Sequence, residues 1–190
     1  SLNLAYNVGV GNGRGKVLAR AGDAGDVNNN KAWFVNLLSK PDRFFGLDAG
    51  VSVYGDQITT TSGAVFDEMI FSAHLIWSKE SPEVISEYAN IRHDAKVGGA
   101  TFDHQSAYLQ IAYRLPWLEA RLKPYARYEY NELDQAEPPL NASIVFKKRA
   151  IVGLRFDVST YAAFKFEYRN EEQDSGSESN SGLAQVSFTF

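Results

Sequence analysis

The sequence predicts an all-β chain, an antiparallel up-and-down transmembrane β-barrel with about ten strands present. Three observations carry that expectation. Apolar and polar residues alternate along one segment after another, which is the period of a strand with one apolar face. The apolar faces are nearly free of charge and rich in small residues such as Ala, which fill a soluble core poorly but suit contact with lipid. The connecting segments alternate in length, short at 39–43, 79–82, 116–122 and 158–161, longer and more polar near 11–30, 56–65, 92–103, 132–144 and 170–181.

The first strand, LNLAYNVGV, sets Leu2, Leu4, Tyr6, Val8 and Val10 against Asn3, Ala5, Asn7 and Gly9. The second, KAWFVNLL, puts Trp33, Val35 and Leu37 on one face and stops at SKPDR. In the third, GLDAGVSVYGD, Leu47, Ala49, Val51 and Val53 oppose Asp48, Gly50, Ser52 and Tyr54. EMIFSAHLIWS follows, with Met69, Phe71, Ala73, Leu75 and Trp77 opposite Ser72, His74 and Ser78, and turns at KESPE. The fifth, around VISEYANI, has mixed faces. SAYLQIAYRL gives Ala107, Leu109, Ile111 and Tyr113 against Ser106, Tyr108, Gln110 and Arg114. PYARYEYN sets Ala126, Tyr128 and Tyr130 against Arg127, Glu129 and Asn131. RAIVGLRFDV sets Ala150, Val152, Leu154, Phe156 and Val158 against Arg149, Gly153, Arg155 and Asp157. AAFKFEYRN sets Ala162, Phe164, Phe166 and Tyr168 against Lys165, Glu167 and Arg169. The last, GLAQVSFTF, sets Ala184, Val186, Phe188 and Phe190 against Gln185, Ser187 and Thr189.

A net charge of −4 with both signs mixed gives no footprint for nucleic acid. The absence of cysteine excludes a disulfide framework, a thiolate metal site and a cysteine nucleophile. No run approaches the roughly 18 apolar residues of a spanning helix, a criterion blind to strands that cross a membrane. A soluble barrel or sandwich alternates in the same way but turns its apolar face inward. Aromatic residues near strand ends, among them Trp33, Trp77, Tyr113, Tyr128, Tyr130 and Tyr168, favour the membrane arrangement, in which such residues form interfacial girdles.

On that arrangement strands six to nine present a charged wall to the lumen: Arg114, Arg127, Glu129, Arg149, Arg155, Asp157, Lys165, Glu167 and Arg169. Cross-strand reach allows Arg127 and Glu129 to pair with charges on strands eight and nine, either stiffening the wall or biasing which solutes pass. Asp48, Glu68 and Glu87 from earlier strands roughly balance the signs, so selectivity for phosphate is not expected. No catalytic residue is assigned. His74 lies mid-strand beside Ser72, and His93 and His104 stand next to Asp94 and Asp103, where convergence at an extracellular rim would allow an Asp–His dyad, though polar loops often contain such pairs. Asp23, Asp26, Asn28 and Asn29 in GDAGDVNNN offer oxygen ligands but not the spacing of a Ca²⁺ loop, so neither a metal nor a cofactor is expected. GVGNGRG is followed by no helix and lacks the mechanism of a phosphate-cradling loop.

KPYARYEY, the pair RAIVGLRFDV and AAFKFEYRN, and the terminal VSFTF resemble the C-terminal portion of Gram-negative outer-membrane porins, in particular the phosphate-selective porin-like group. YNVGVGNGRG, NNKAW and GLDAGVSVYGD resemble the same group, so the likeness runs from Ser1 to Phe190. It implies a single outer-membrane barrel domain over 1–190, passive diffusion of small hydrophilic solutes or ions, and no enzymatic activity. The resemblance further implies an insertion signal in Val186, Phe188 and Phe190, read by the outer-membrane insertion machinery. Outer-membrane lipid and lipopolysaccharide, and a homotrimer, are its expected partners. Porins of this type have about sixteen strands. The chain is then either the C-terminal part of such a barrel or a ten-stranded barrel of its own, and in the second case a narrow one acting through its extracellular loops as an enzyme or adhesin. A soluble ligand-binding barrel is the remaining alternative.

Overall fold

Alternating polarity becomes ten strands that pair in sequence order. The computed structural model describes residues 1–15, 28–134, 137 and 146–189. They form β1 (Leu4–Gly11), β2 (Ala32–Ser39), β3 (Leu47–Thr59), β4 (Val65–Ser78) and β5 (Glu83–Ala95). The second half contributes β6 (Thr101–Ala112), β7 (Leu122–Glu132), β8 (Lys148–Ser159), β9 (Ala162–Glu172) and β10 (Glu178–Phe188). All ten belong to one sheet in the order β1 to β10, an up-and-down meander, with short 3-10 turns at Asp42–Phe44 and Leu118–Ala120. The mixed faces of VISEYANI do not prevent β5 from pairing, because a ladder of backbone hydrogen bonds needs no alternation of side chains.

Register places like with like. Val8 faces Val35, which faces Val53, and Tyr6 faces Leu37, which faces Val51. On the later strands Ala126 faces Val152, then Tyr168, then Gly182, while Phe156 faces Phe164, then Val186. A slip of one residue in any pair would carry a whole apolar row to the charged face, so the alternation itself specifies the register.

Three connections are shorter than the sequence suggested. Strands extend through much of 56–65, 92–103 and 170–181, leaving links of 60–64, 96–100 and 173–177. Polar residues such as Gln57, Asp67 and Glu172 do not stop strand pairing; what stops it is backbone that must reverse, at Gly63 (φ 85°) and Gly176 (φ 78°). The long connections that remain are 12–31 and 133–147, so the expected alternation of loop length holds only in part.

Two compact units make up the chain. One comprises Ser1–His74, Tyr88–Ser106 and Glu132–Val145; the other comprises Leu75–Glu87, Ala107–Asn131 and Phe146–Phe190. Each unit buries polar groups and exposes apolar ones. In the first, Asp56, Glu68, His93 and His104 are buried while Tyr6, Val8 and Val10 are open. In the second, Lys123 and Glu167 are buried while Val152, Phe166 and Tyr168 are open.

Candidate functional site

Side chains of β7, β8 and β9 alternate, so Lys123, Tyr125, Arg127 and Glu129 share a face with Arg149, Ile151, Gly153, Arg155 and Asp157, and with Lys165, Glu167, Arg169 and Glu171. Of the nine wall residues expected from the sequence, eight stand on this face. The ninth, Arg114, lies just beyond the end of β6 and reaches across to donate from Nη1 to Asp157 at 2.7 Å.

Ion pairs on this face run both across and along the strands. Arg149 lies between two carboxylates, 3.0 Å from Glu129 on β7 and 2.6 Å from Glu171 on β9. Glu167 accepts from Lys165 at 2.6 Å and from Arg169 Nε at 2.9 Å. The expected pairing of Arg127 with charges on β8 and β9 is not what forms. Its register partner on β8 is the apolar Ile151, so Arg127 turns along its own strand to Glu129 at 2.8 Å and across to Gln110 of β6 at 3.0 Å. Arg155 likewise bonds Asp157 within β8 at 2.7 Å.

Sequence reading missed Lys123, Tyr125 and Glu171 on this face. Tyr125 lies over Gly153 and donates its hydroxyl to Glu167 at 2.5 Å, two strands away. That crossing requires a glycine, because a Cβ at 153 would sit inside the Tyr125 ring. The signal was a tyrosine two positions before Arg127 in phase with it, paired with a lone glycine in a strand otherwise rich in large residues. Lys123 sits 2.8 Å from Glu83 and 3.2 Å from Glu80. Glu80, in the turn between β4 and β5, is held below the ordinary carboxylate range by a hydrogen bond from Arg114, a further one from Lys123 adding to it against burial.

The earlier strands place the remaining candidates. Asp48 pairs with Lys40 at 2.9 Å and lies 3.6 Å from His74 Nε2, while Ser72 shares a hydrogen bond with Ser52. His93 and His104 converge, their ring centroids 5.9 Å apart, but not with Asp94 and Asp103. Adjacent residues of a strand point to opposite faces, so Asp94 bonds Arg92 and Thr101, and Asp103 accepts from Asn90. The expected dyad therefore gives way to glutamates. His93 Nδ1 lies 2.5 Å from Glu137 Oε1 and its Nε2 lies 2.9 Å from Glu68 Oε2, while His104 Nε2 bonds Glu137 Oε2. Burial pushes the Glu137 carboxyl up, but hydrogen bonds from His93 and His104 outweigh it and hold the group below its ordinary value.

Val186 and Phe188 stand on the apolar face of β10, in register with Phe164 and Ala162. Phe190, and Asp23 and Asp26 of the polar loop, lie outside the described residues; Asn28, within them, donates to the Gln57 carbonyl at 2.6 Å.

No protein-family model and no curated protein matches this sequence. Among solved structures the chain is similar to the outer membrane channel DcaP of Acinetobacter baumannii, with a TM-score of 0.64 at 12% identity over 98% of this chain and 59% of that one. The chain thus spans 59% of the length of the channel it matches, and at this identity the likeness is one of fold.

Proposed function

We propose that the chain forms the wall of a porin-like channel in the outer membrane, through which small hydrophilic solutes or ions diffuse passively along the charged face. The observation that carries this reading is the inversion of burial. On β9 the charged face is withdrawn, Glu167 being 8% exposed, while Tyr168 on its other face and Val152 beside it on β8 are 54% and 59% exposed. A soluble sandwich or lipocalin-like barrel would turn those faces the other way. Exposed aliphatic and aromatic rows on β1, β2, β9 and β10 are tolerable only against hydrocarbon. The fold shared with an outer membrane channel supports the same reading.

In this arrangement the sheet is part or all of a barrel. Lipid and lipopolysaccharide meet the row of Val152, Phe166 and Val186, the insertion machinery reads the terminal strand with Val186 and Phe188, and a trimer is the expected assembly. Solute preference follows from the pairing. The cations Arg114, Lys123, Arg127, Arg149, Arg155, Lys165 and Arg169 are matched by Glu80, Glu83, Glu129, Asp157, Glu167 and Glu171. A wall so nearly neutral discriminates little between small cations and anions and gives no excess of positive charge for phosphate.

Recording the purified chain in a planar bilayer under a KCl gradient tests both parts. Stable conductance steps with a reversal potential near zero are expected, shifting toward anion selectivity in Glu129→Gln, which leaves Arg149 and Arg127 short of a carboxylate. A chain that inserts, keeps its strands and passes no current overturns the channel reading.

A further inference from the structure

We propose that His93, His104 and Glu137 bind a divalent transition-metal ion such as Zn²⁺, at a site separate from the charged wall. The three side chains come from β5, from β6 and from the connection between β7 and β8, all within one compact unit. All are buried, and one ligand atom from each lies within 4.8 Å of the others. Two imidazoles and a carboxylate form a donor set suited to zinc, iron or nickel and ill suited to Ca²⁺ or Mg²⁺, which prefer oxygen.

A ligand histidine needs its second nitrogen held, and His93 has that support. Its Nε2 donates to Glu68 Oε2 at 2.9 Å, leaving Nδ1 to face Glu137. Such a carboxylate behind a histidine fixes the ring and raises its basicity as a ligand. Arg14 Nε lies 3.3 Å from the other oxygen of Glu68, which accepts no hydrogen bond among the described residues although it is buried. The Glu68 carboxylate is therefore oriented by its charge neighbours rather than saturated by them.

Without an ion, protons bridge the same groups. His93 faces a carboxylate at each nitrogen, so it carries both protons. His104 Nδ1 accepts from the Asp134 amide at 3.2 Å, so its own proton is on Nε2, toward Glu137. The ion replaces these bridges. His93 releases the Nδ1 proton to solvent, and His104 moves its proton from Nε2 to Nδ1 as the Asp134 amide lets go. Tetrahedral coordination with bonds of about 2.1 Å places donors about 3.4 Å apart. Glu137, now 2.5 Å from His93 Nδ1, would then withdraw by roughly an ångström, which a residue outside the strands can do without disturbing their ladder.

The test is metal content and affinity, not conductance, so its failure leaves the channel reading untouched. Tag-free chain in detergent is stripped with a chelator and titrated with Zn²⁺ against a chromophoric competitor, and bound metal is counted by atomic emission. The expected result is about one ion per chain, weakened at least tenfold in Glu137→Gln and His104→Gln and unchanged in His74→Gln, which removes a histidine outside the cluster. Glu68→Gln keeps all three ligands and removes only the support behind His93, and a loss of about tenfold is expected there too. Co²⁺ bound to the unaltered chain gives a visible absorption band of nitrogen and oxygen ligation, a readout independent of whether any variant folds. A stripped chain that takes up no Zn²⁺ and gives no Co²⁺ band overturns the proposal, as does binding that all the cluster variants share with the unaltered chain.

Discussion

Replacing Val152 with lysine separates a lipid-facing strand from a water-facing one. Val152 is 59% exposed, with Ala126 and Tyr168 as its register neighbours. In a soluble barrel such a position tolerates lysine within about 0.5 kcal/mol. Against hydrocarbon the outcome depends on depth. β8 has 12 residues, and at about 3.3 Å per residue with a tilt near 45° it rises roughly 28 Å, slightly more than an apolar band of about 25 Å. Val152 lies four residues from Lys148, about 9 Å along the normal from that end and so about 5 Å short of the middle of the band. A lysine costs about 2–4 kcal/mol at the middle and less toward the interfaces, so about 1–3 kcal/mol here, a factor of about 5 to 150 in the folded-to-unfolded ratio. Urea unfolding in phospholipid vesicles, followed by tryptophan fluorescence, reads the difference. Ser181→Lys, on the polar face of β10, is the control and should stay within about 1 kcal/mol of the unaltered chain. A Val152→Lys variant as stable as that control would refute the assignment of this face to lipid.

The remaining expectations concern the charged face. Gly153→Ala forces the Tyr125 ring off the backbone and breaks its bond to Glu167, costing about 1–3 kcal/mol, as overpacking does. In a Tyr125→Ala background the same change should cost much less, and a double-mutant cycle showing full additivity would remove the crossing from the account. Glu80 is held below its ordinary value of 4.5 in the folded chain, so its contribution is present above that pH and is lost as pH falls through the folded value. The gap in urea midpoint between the unaltered chain and Glu80→Gln should therefore narrow below about pH 4.5; a gap independent of pH would mean that Arg114 and Lys123 do not hold this carboxylate.

Strand number and the two faces were legible because alternation is a local property, written within ten or so residues of each strand. It was strongest where residue types were extreme, as in Val152, Leu154 and Phe156 against Arg155 and Asp157. The partners of individual charges were not legible, since they depend on register. Arg127 meets Ile151 on β8 and so bonds Glu129 on its own strand and Gln110 on β6 instead, a result no single strand reveals. Tyr125 and Gly153 became meaningful only when β7, β8 and β9 were aligned. The His93 and His104 pair was noticed, but sequence neighbours Asp94 and Asp103 were the wrong carboxylates because a strand turns adjacent side chains apart. Glu68 and Glu137 arrive from 25 and 44 residues away. Loop lengths were overestimated wherever polarity was taken for a break in pairing.

The central claim is that the apolar face meets lipid and the charged face meets water, and it can be measured residue by residue. The chain contains no cysteine, so single cysteines introduced at each position from 149 to 156 except 153, where Tyr125 packs on Gly153, each carry one nitroxide label, and electron paramagnetic resonance in vesicles compares collision with dissolved oxygen and with a water-soluble nickel complex. Oxygen-rich, nickel-poor environments are predicted at 150, 152, 154 and 156, and the reverse at 149, 151 and 155. Alternation of the opposite phase, or water access at every position, would contradict it.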